Sequence, residues 1–113
     1  MGSVRVFWPK HNTGSLVAAL QAKAGALKEA LPVSLVVLFG SYAKGNFTAA
    51  SDIDILVVYK GEPRRDAYNI VCNTIDLPRL EPHVYSEAEY VTMEKTIARM
   101  IRDGKTIYEE RTP

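Results

Sequence analysis

Cysteine is almost missing from this chain: of 113 residues, only Cys72 carries a thiol. One thiol cannot close an intramolecular disulfide, and it cannot build a Cys-rich zinc site or an iron–sulfur cluster. A reducing cytoplasm is the expected setting. Long apolar runs are missing too. Stretches such as Leu35 to Phe39 fall far short of the roughly 18 to 20 residues of a membrane span, and the N-terminus lacks a basic region followed by an apolar core. Neither a membrane span nor an export signal is expected. An excess of one charge is also absent, with 14 Lys and Arg against 13 Asp and Glu for a net charge of +1. Nucleic-acid binding by bulk electrostatics thereby loses its main support, so any recognition must be local. Repeats and low-complexity tracts are absent.

What remains is an ordinary globular balance, 47% hydrophobic and 24% charged, in a chain long enough for one core. A single domain over 1–113 is expected. Residues 4–11, interrupted by Pro9, read as a lead-in segment or a short edge strand. Beyond Asn12 and Thr13, both competent N-caps, Leu16, Leu20, Leu27 and Leu31 share one helical stripe that Pro32 stops, which predicts a helix over 14–30. Leu35 to Phe39 is an unbroken run of β-formers, expected as a strand covered on both faces and ended by Gly40-Ser41. After a turn at 46–51, Ile53 to Tyr59 resumes as a second strand in a hairpin-like return. A helix over 64–75 and a strand over 79–85 follow. Ser86 to Glu89 reads as a capping box opening a helix that runs to about Asp103, with Gly104 terminating it and a tail strand at 106–108. The fold class is α/β, or α+β: a small mixed sheet with helices on it.

Three stretches carry chemistry. In Phe39-Gly40-Ser41-Tyr42-Ala43-Lys44, a glycine at a strand end lets backbone approach a ligand, a following helical turn presents N–H groups to phosphate oxygens, and serine adds a hydroxyl. Read alone, the same string also serves as a plain turn. In Ser51-Asp52-Ile53-Asp54, two carboxylates at period two share one strand face ahead of an apolar run. Like charges held there call for a cation, and hard oxygen ligands suit Mg²⁺ or Mn²⁺. Two solvated aspartates at a strand start are the plainer alternative. In Leu80 to Tyr85, Glu81, His83 and Tyr85 share a face, which offers a further carboxylate to a metal pair. The alternatives there are an exposed edge-strand charge for Glu81 and a hydrogen-bonded wall residue for His83.

Together, Leu38-Phe39-Gly40-Ser41 and Ser51-Asp52-Ile53-Asp54-Ile55-Leu56-Val57 resemble the signature of the DNA polymerase β-like nucleotidyltransferases, in particular the small stand-alone minimal nucleotidyltransferases. The resemblance covers nearly the whole chain. It implies a polymerase β-like core, with Gly40 and Ser41 holding the β- and γ-phosphates of ATP or another nucleoside triphosphate. Asp52 and Asp54 would bind two Mg²⁺ ions, or Mn²⁺. A third carboxylate on a later strand is matched by Glu81, with Asp76 as the competing candidate. Lys44, and also Arg64 or Arg65, would offset phosphate charge, although solvated-surface roles serve these residues equally. The family further implies a helical HEPN-type partner, toxin to this antitoxin, with AMP transferred to a partner tyrosine. The rival expectation is a binding module that neutralises its partner by contact and uses the nucleotide site without catalysis. A homo-oligomer is compatible with either.

Overall fold

The computed structural model describes residues 11–110. The lead-in or edge strand expected at 4–11 therefore lies, apart from His11, outside the described residues. The described elements run α1 (Thr13–Ala30), β1 (Val33–Phe39), α2 (Ser41–Lys44), β2 (Ile53–Tyr59), α3 (Ala67–Ile75), β3 (Leu80–Ser86), α4 (Glu87–Thr92), α5 (Glu94–Met100) and β4 (Lys105–Glu109). Four strands form one mixed sheet in the order β3-β2-β1-β4. β1 pairs antiparallel with both β2 and β4, while β2 and β3, joined through α3, run parallel.

The apolar strands serve two cores. A register shift between Val33 and Leu35 changes which face each side chain meets, as a one-residue bulge must. Val36 and Leu38 then pack with Ile53, Ile55, Val57 and the leucines of α1, against Val71 and Ile75 of α3. Val37, Phe39, Leu56 and Val58 pack on the opposite face against Ile97 of α5. Helices thus cover both faces, the reason β1 and β2 read as continuous apolar runs rather than alternating ones.

Local chemistry sets the boundaries. Asn12 accepts from the Ser15 N–H at 2.8 Å, and Ser15 Oγ accepts from the Asn12 N–H at 3.0 Å, so α1 opens on a reciprocal cap. Helix α3 begins at Ala67, not at Arg64. Asp66 stands at its N-cap position without capping, because its carboxylate takes a two-pronged grip from the Arg64 guanidinium at 3.0 and 2.9 Å. The capping box at Ser86 forms as the sequence suggests, with Glu89 reciprocating. The single helix expected beyond it is divided at Met93 (φ −111°, ψ 14°). Thr92 turns its hydroxyl back onto the Glu89 carbonyl at 2.8 Å, a local competition that weakens helix continuation. Among the described residues, no helix is long and apolar enough to cross a membrane.

Gly104 ends this region for a packing reason. A Cβ there would lie 2.6 Å from Val37 Cγ1, 2.9 Å from the Ile101 carbonyl and 3.0 Å from the Leu38 carbonyl. Gly104→Ala is accordingly expected to destabilise the fold by about 1–3 kcal/mol through overpacking. Urea unfolding monitored by circular dichroism checks this; an unchanged midpoint would mean that the turn opens freely.

Candidate active site

The site lies where β1 ends and β2 begins. Phe39 and Asp54 are register partners, and so are Asp54 and Glu81. One line across three strands therefore runs Phe39, Asp54, Glu81, with Asp54 in the middle. In-register neighbours project to the same face of a sheet, so Glu81 stands beside Asp54.

Gly40 follows at once with φ 77° and ψ −151°, a backbone region essentially reserved for glycine. The space a Cβ would take is already filled by Asp54: the added atom would sit 2.4 Å from Asp54 Oδ2. Backbone of the Gly-Ser turn and the central carboxylate are thus in direct contact. From there Ser41 opens α2, a single turn closed by Lys44 N–H to the Gly40 carbonyl at 3.1 Å and Gly45 N–H to the Ser41 carbonyl at 3.0 Å. The first N–H groups of such a turn have no partner within it. Two outside contacts hold α2 in place: Thr13 Oγ1 donates to the Tyr42 carbonyl, and Tyr42 stacks on Phe47 at 4.6 Å between ring centroids. Lys44 is exposed.

Burial pushes the Asp54 carboxyl above the ordinary carboxylate range; the like charge of Asp52 adds to that push, and His83 opposes it. His83 Nε2 stands 3.8 Å from Asp54 Oδ1, an electrostatic contact beyond hydrogen-bond reach. Its ring lies against Phe39, with centroids 5.1 Å apart. Asp52, just outside β2, meets Arg79 Nη2 at 3.2 Å. Hard oxygens, a carboxylate under like-charge and desolvation stress, and a cradle too tight for a Cβ fit a divalent cation at Asp52 and Asp54. Among the described residues, no three acidic, His or Cys side chains gather into one metal-holding group, so Glu81 stands in register beside the pair rather than within a closed cluster.

Other candidates fall elsewhere. Asp76 is the left-handed C-cap of α3 (φ 49°), its N–H closing on the Cys72 carbonyl; it belongs to the connection into β3 rather than to the strand beside Asp54. Arg64 hangs from the far end of β2, where its N–H donates to the Tyr59 hydroxyl at 2.7 Å and its guanidinium is committed to Asp66. Arg64 therefore does not serve the Gly40–Asp54 end, and of the two roles open to it the solvated-surface one is found; Arg65, its neighbour, is likewise exposed. Arg79 is the residue that sequence reasoning passed over. It adopts a left-handed backbone (φ 63°), and besides Asp52 it donates to the Ala50 and Ser51 carbonyls. It thus pins the 46–51 turn and holds a cation against Asp52. The signal lies in strand register rather than in a local pattern: the parallel pair that sets Ile53 beside Leu80 puts Asp52 beside Arg79.

Comparison with known proteins bears on the family and on the fold. The family profile described as a nucleotidyltransferase domain matches residues 20–108. Among solved structures, a protein of Sulfolobus solfataricus assigned as a nucleotidyltransferase superposes with a TM-score of 0.59 at 20% identity, covering 87% of this chain and 84% of that one. A chain of the Shewanella oneidensis complex between a tri-AMPylated HEPN toxin and an MNT antitoxin gives 0.54 at 18% identity, over 83% and 73%. A chain of a toxin–antitoxin structure with AMP-PNP gives 0.51 at 21% identity, over 80% and 74%. At these identities the likeness establishes the fold. No curated protein sequence matches significantly.

Proposed function

This chain belongs to the nucleotidyltransferase domain family, and from that membership we propose that it moves AMP from ATP to a hydroxyl of a partner protein, as the antitoxin of a HEPN-type pair. The observation that carries the reading is the contact between Gly40 and Asp54, which sets a phosphate-accepting backbone turn against a carboxylate whose charge needs a cation. The likeness to a chain from a complex holding a tri-AMPylated HEPN toxin supports the choice of AMP and of partner.

In the proposed reaction the acceptor oxygen bonds to the α-phosphorus, the bond from that phosphorus to the bridging oxygen breaks, and pyrophosphate leaves. Asp52 and Asp54 would hold Mg²⁺ or Mn²⁺, two ions by the family's pattern, which when bound neutralise charge on the attacking and leaving oxygens. Gly40 and Ser41 receive the β- and γ-phosphates through backbone N–H groups and the serine hydroxyl, and Lys44, one turn on, offsets their charge. Glu81 accepts the proton of the acceptor hydroxyl. Arg79, 3.2 Å from Asp52, orients that carboxylate.

Incubation with α-labelled ATP, Mg²⁺ and a HEPN-type partner tests the reading, label on the partner being the expected result. Within that assay, Glu81→Gln is expected to slow transfer roughly 100-fold while changing ATP affinity little, because this carboxylate acts when the acceptor loses its proton. Asp76→Asn is expected to be near neutral, asparagine tolerating the left-handed cap as aspartate does. A silent Glu81→Gln beside a crippled Asp76→Asn would move the third carboxylate to Asp76. If both variants are silent and the partner is neutralised without nucleotide, the protein acts as a binding module and not as an enzyme.

A further inference from the structure

The two oxygens of Asp54 face in different directions. Oδ2 fills the space beside Gly40, while Oδ1 faces the imidazole of His83, whose Nε2 stands 3.8 Å away. Asp52 already has a cation in Arg79 at 3.2 Å, and its side chain is 49% exposed. Asp54, at 27%, is the more enclosed of the pair and has a ring nitrogen across from it. The fold fixes where that ring lies. His83 sits in β3 opposite Leu56, two residues beyond Glu81 and on the same face, and its ring rests on Phe39 with centroids 5.1 Å apart and planes tilted by 59°. Phe39 is itself the register partner of Asp54.

The gap suits a shared ion better than a direct bond. At 3.8 Å nitrogen and oxygen are too far apart for a hydrogen bond. Bonds of about 2.0–2.2 Å from one cation to an imidazole nitrogen and a carboxylate oxygen, meeting at octahedral to tetrahedral angles, set the two donors roughly 3.0–3.4 Å apart. A small side-chain rotation therefore brings both onto one ion. Imidazole also changes which ion is preferred: Mg²⁺ favours oxygen donors and sheds water reluctantly, whereas Mn²⁺, Co²⁺ and Zn²⁺ take nitrogen more readily. Among the described residues no three acidic, His or Cys side chains form one metal-holding group, so an ion on this pair keeps positions open for water and nucleotide oxygens, as catalytic sites do. We infer that His83 is a nitrogen ligand of the divalent cation at Asp54 and biases the site toward Mn²⁺, Co²⁺ and Zn²⁺ over Mg²⁺. The inference rests on the metal role proposed for Asp54 and goes beyond it in naming a nitrogen donor and the class of ion.

Pulsed electron paramagnetic resonance of the full chain loaded with Mn²⁺ tests the ligation without turnover. The chain has two histidines, His11 and His83, so imidazole nitrogen coupling that disappears in His83→Gln and persists in His11→Gln is the expected result. In calorimetric titrations, with thermal melts to verify folding, His83→Gln is expected to weaken Mn²⁺ and Zn²⁺ roughly tenfold or more while shifting Mg²⁺ less than about twofold. Coupling that survives His83→Gln, or an equal loss for Mg²⁺ and Mn²⁺, overturns the inference. So does wild-type protein that binds Mn²⁺ without nitrogen coupling, a result that needs no variant; if Asp54→Asn then abolishes that binding, the metal role of the aspartates stands and the role of His83 alone is removed. A wild type that binds no divalent cation overturns both. Nitrogen-coordinated Mn²⁺ in a protein that labels no partner leaves the ligation standing and removes the transfer reading alone.

Discussion

Asp54→Asn is expected to reduce nucleotide transfer by roughly 100-fold or more, the several kcal/mol of charge stabilisation that a metal site contributes to phosphoryl chemistry. Asp54 is the centre of the line Phe39, Asp54, Glu81 and its carboxylate fills the space a Cβ at Gly40 would take. Asp52→Asn should act in the same direction and also frees the Arg79 guanidinium. Neither change should harm folding. Burial and the charge of Asp52 raise the Asp54 carboxyl above its ordinary value, so the folded state binds this proton more tightly than the unfolded chain does. The group's contribution to stability is then present at low pH and is lost as pH rises through the raised value. Asparagine removes that loss, so Asp54→Asn should melt no lower than wild type at neutral pH without metal. Transfer of label with and without Mg²⁺, read beside urea unfolding, checks both statements. Wild-type rates in either variant, or a wild type indifferent to divalent cations, would refute the metal role of the pair.

Gly40→Val is expected to abolish measurable ATP binding under conditions where the wild type saturates, a second large effect with a different origin. The first Cβ atom alone would lie 2.4 Å from Asp54 Oδ2, and a β-branched residue resists φ 77°. The turn must either move or push Asp54 aside, and each response separates the phosphate end from the carboxylate. Titration of the folded variant with ATP and Mg²⁺ decides the matter; unchanged affinity would reduce Gly40-Ser41 to a turn.

Both variants act at positions the sequence already marks, and the reason is physical. A glycine ending an apolar run and carboxylates spaced by two are local patterns, so Gly40, Asp52 and Asp54 could be singled out without knowing the fold. Likewise, Asn12 and Ser86 announce their helices because caps are short-range. Relations between strands were harder to read. That Glu81 lies beside Asp54 depends on a parallel crossover through α3, and that Arg79 holds Asp52 depends on the same register. The division at Met93 and the late start of α3 escaped notice because each turns on one side-chain choice, Thr92 bonding backward and Asp66 accepting Arg64 instead of capping. Periodicity alone does not register such choices.

Among the described residues, the strand order β3-β2-β1-β4 leaves two outer strands whose free backbone groups could recruit another chain. On β3, Pro82 faces Ile55 across the parallel ladder. A proline has no N–H to donate, so the row of donors along that margin is broken at its middle. β4 is only five residues long and carries exposed Lys105 and Glu109, charges that resist stacking against a neighbouring sheet. Neither margin is a good template for strand addition, so the protein should tolerate high concentration without fibre-like association, and its contacts with other chains should be made by side chains on its helical surfaces and around the open end of the sheet.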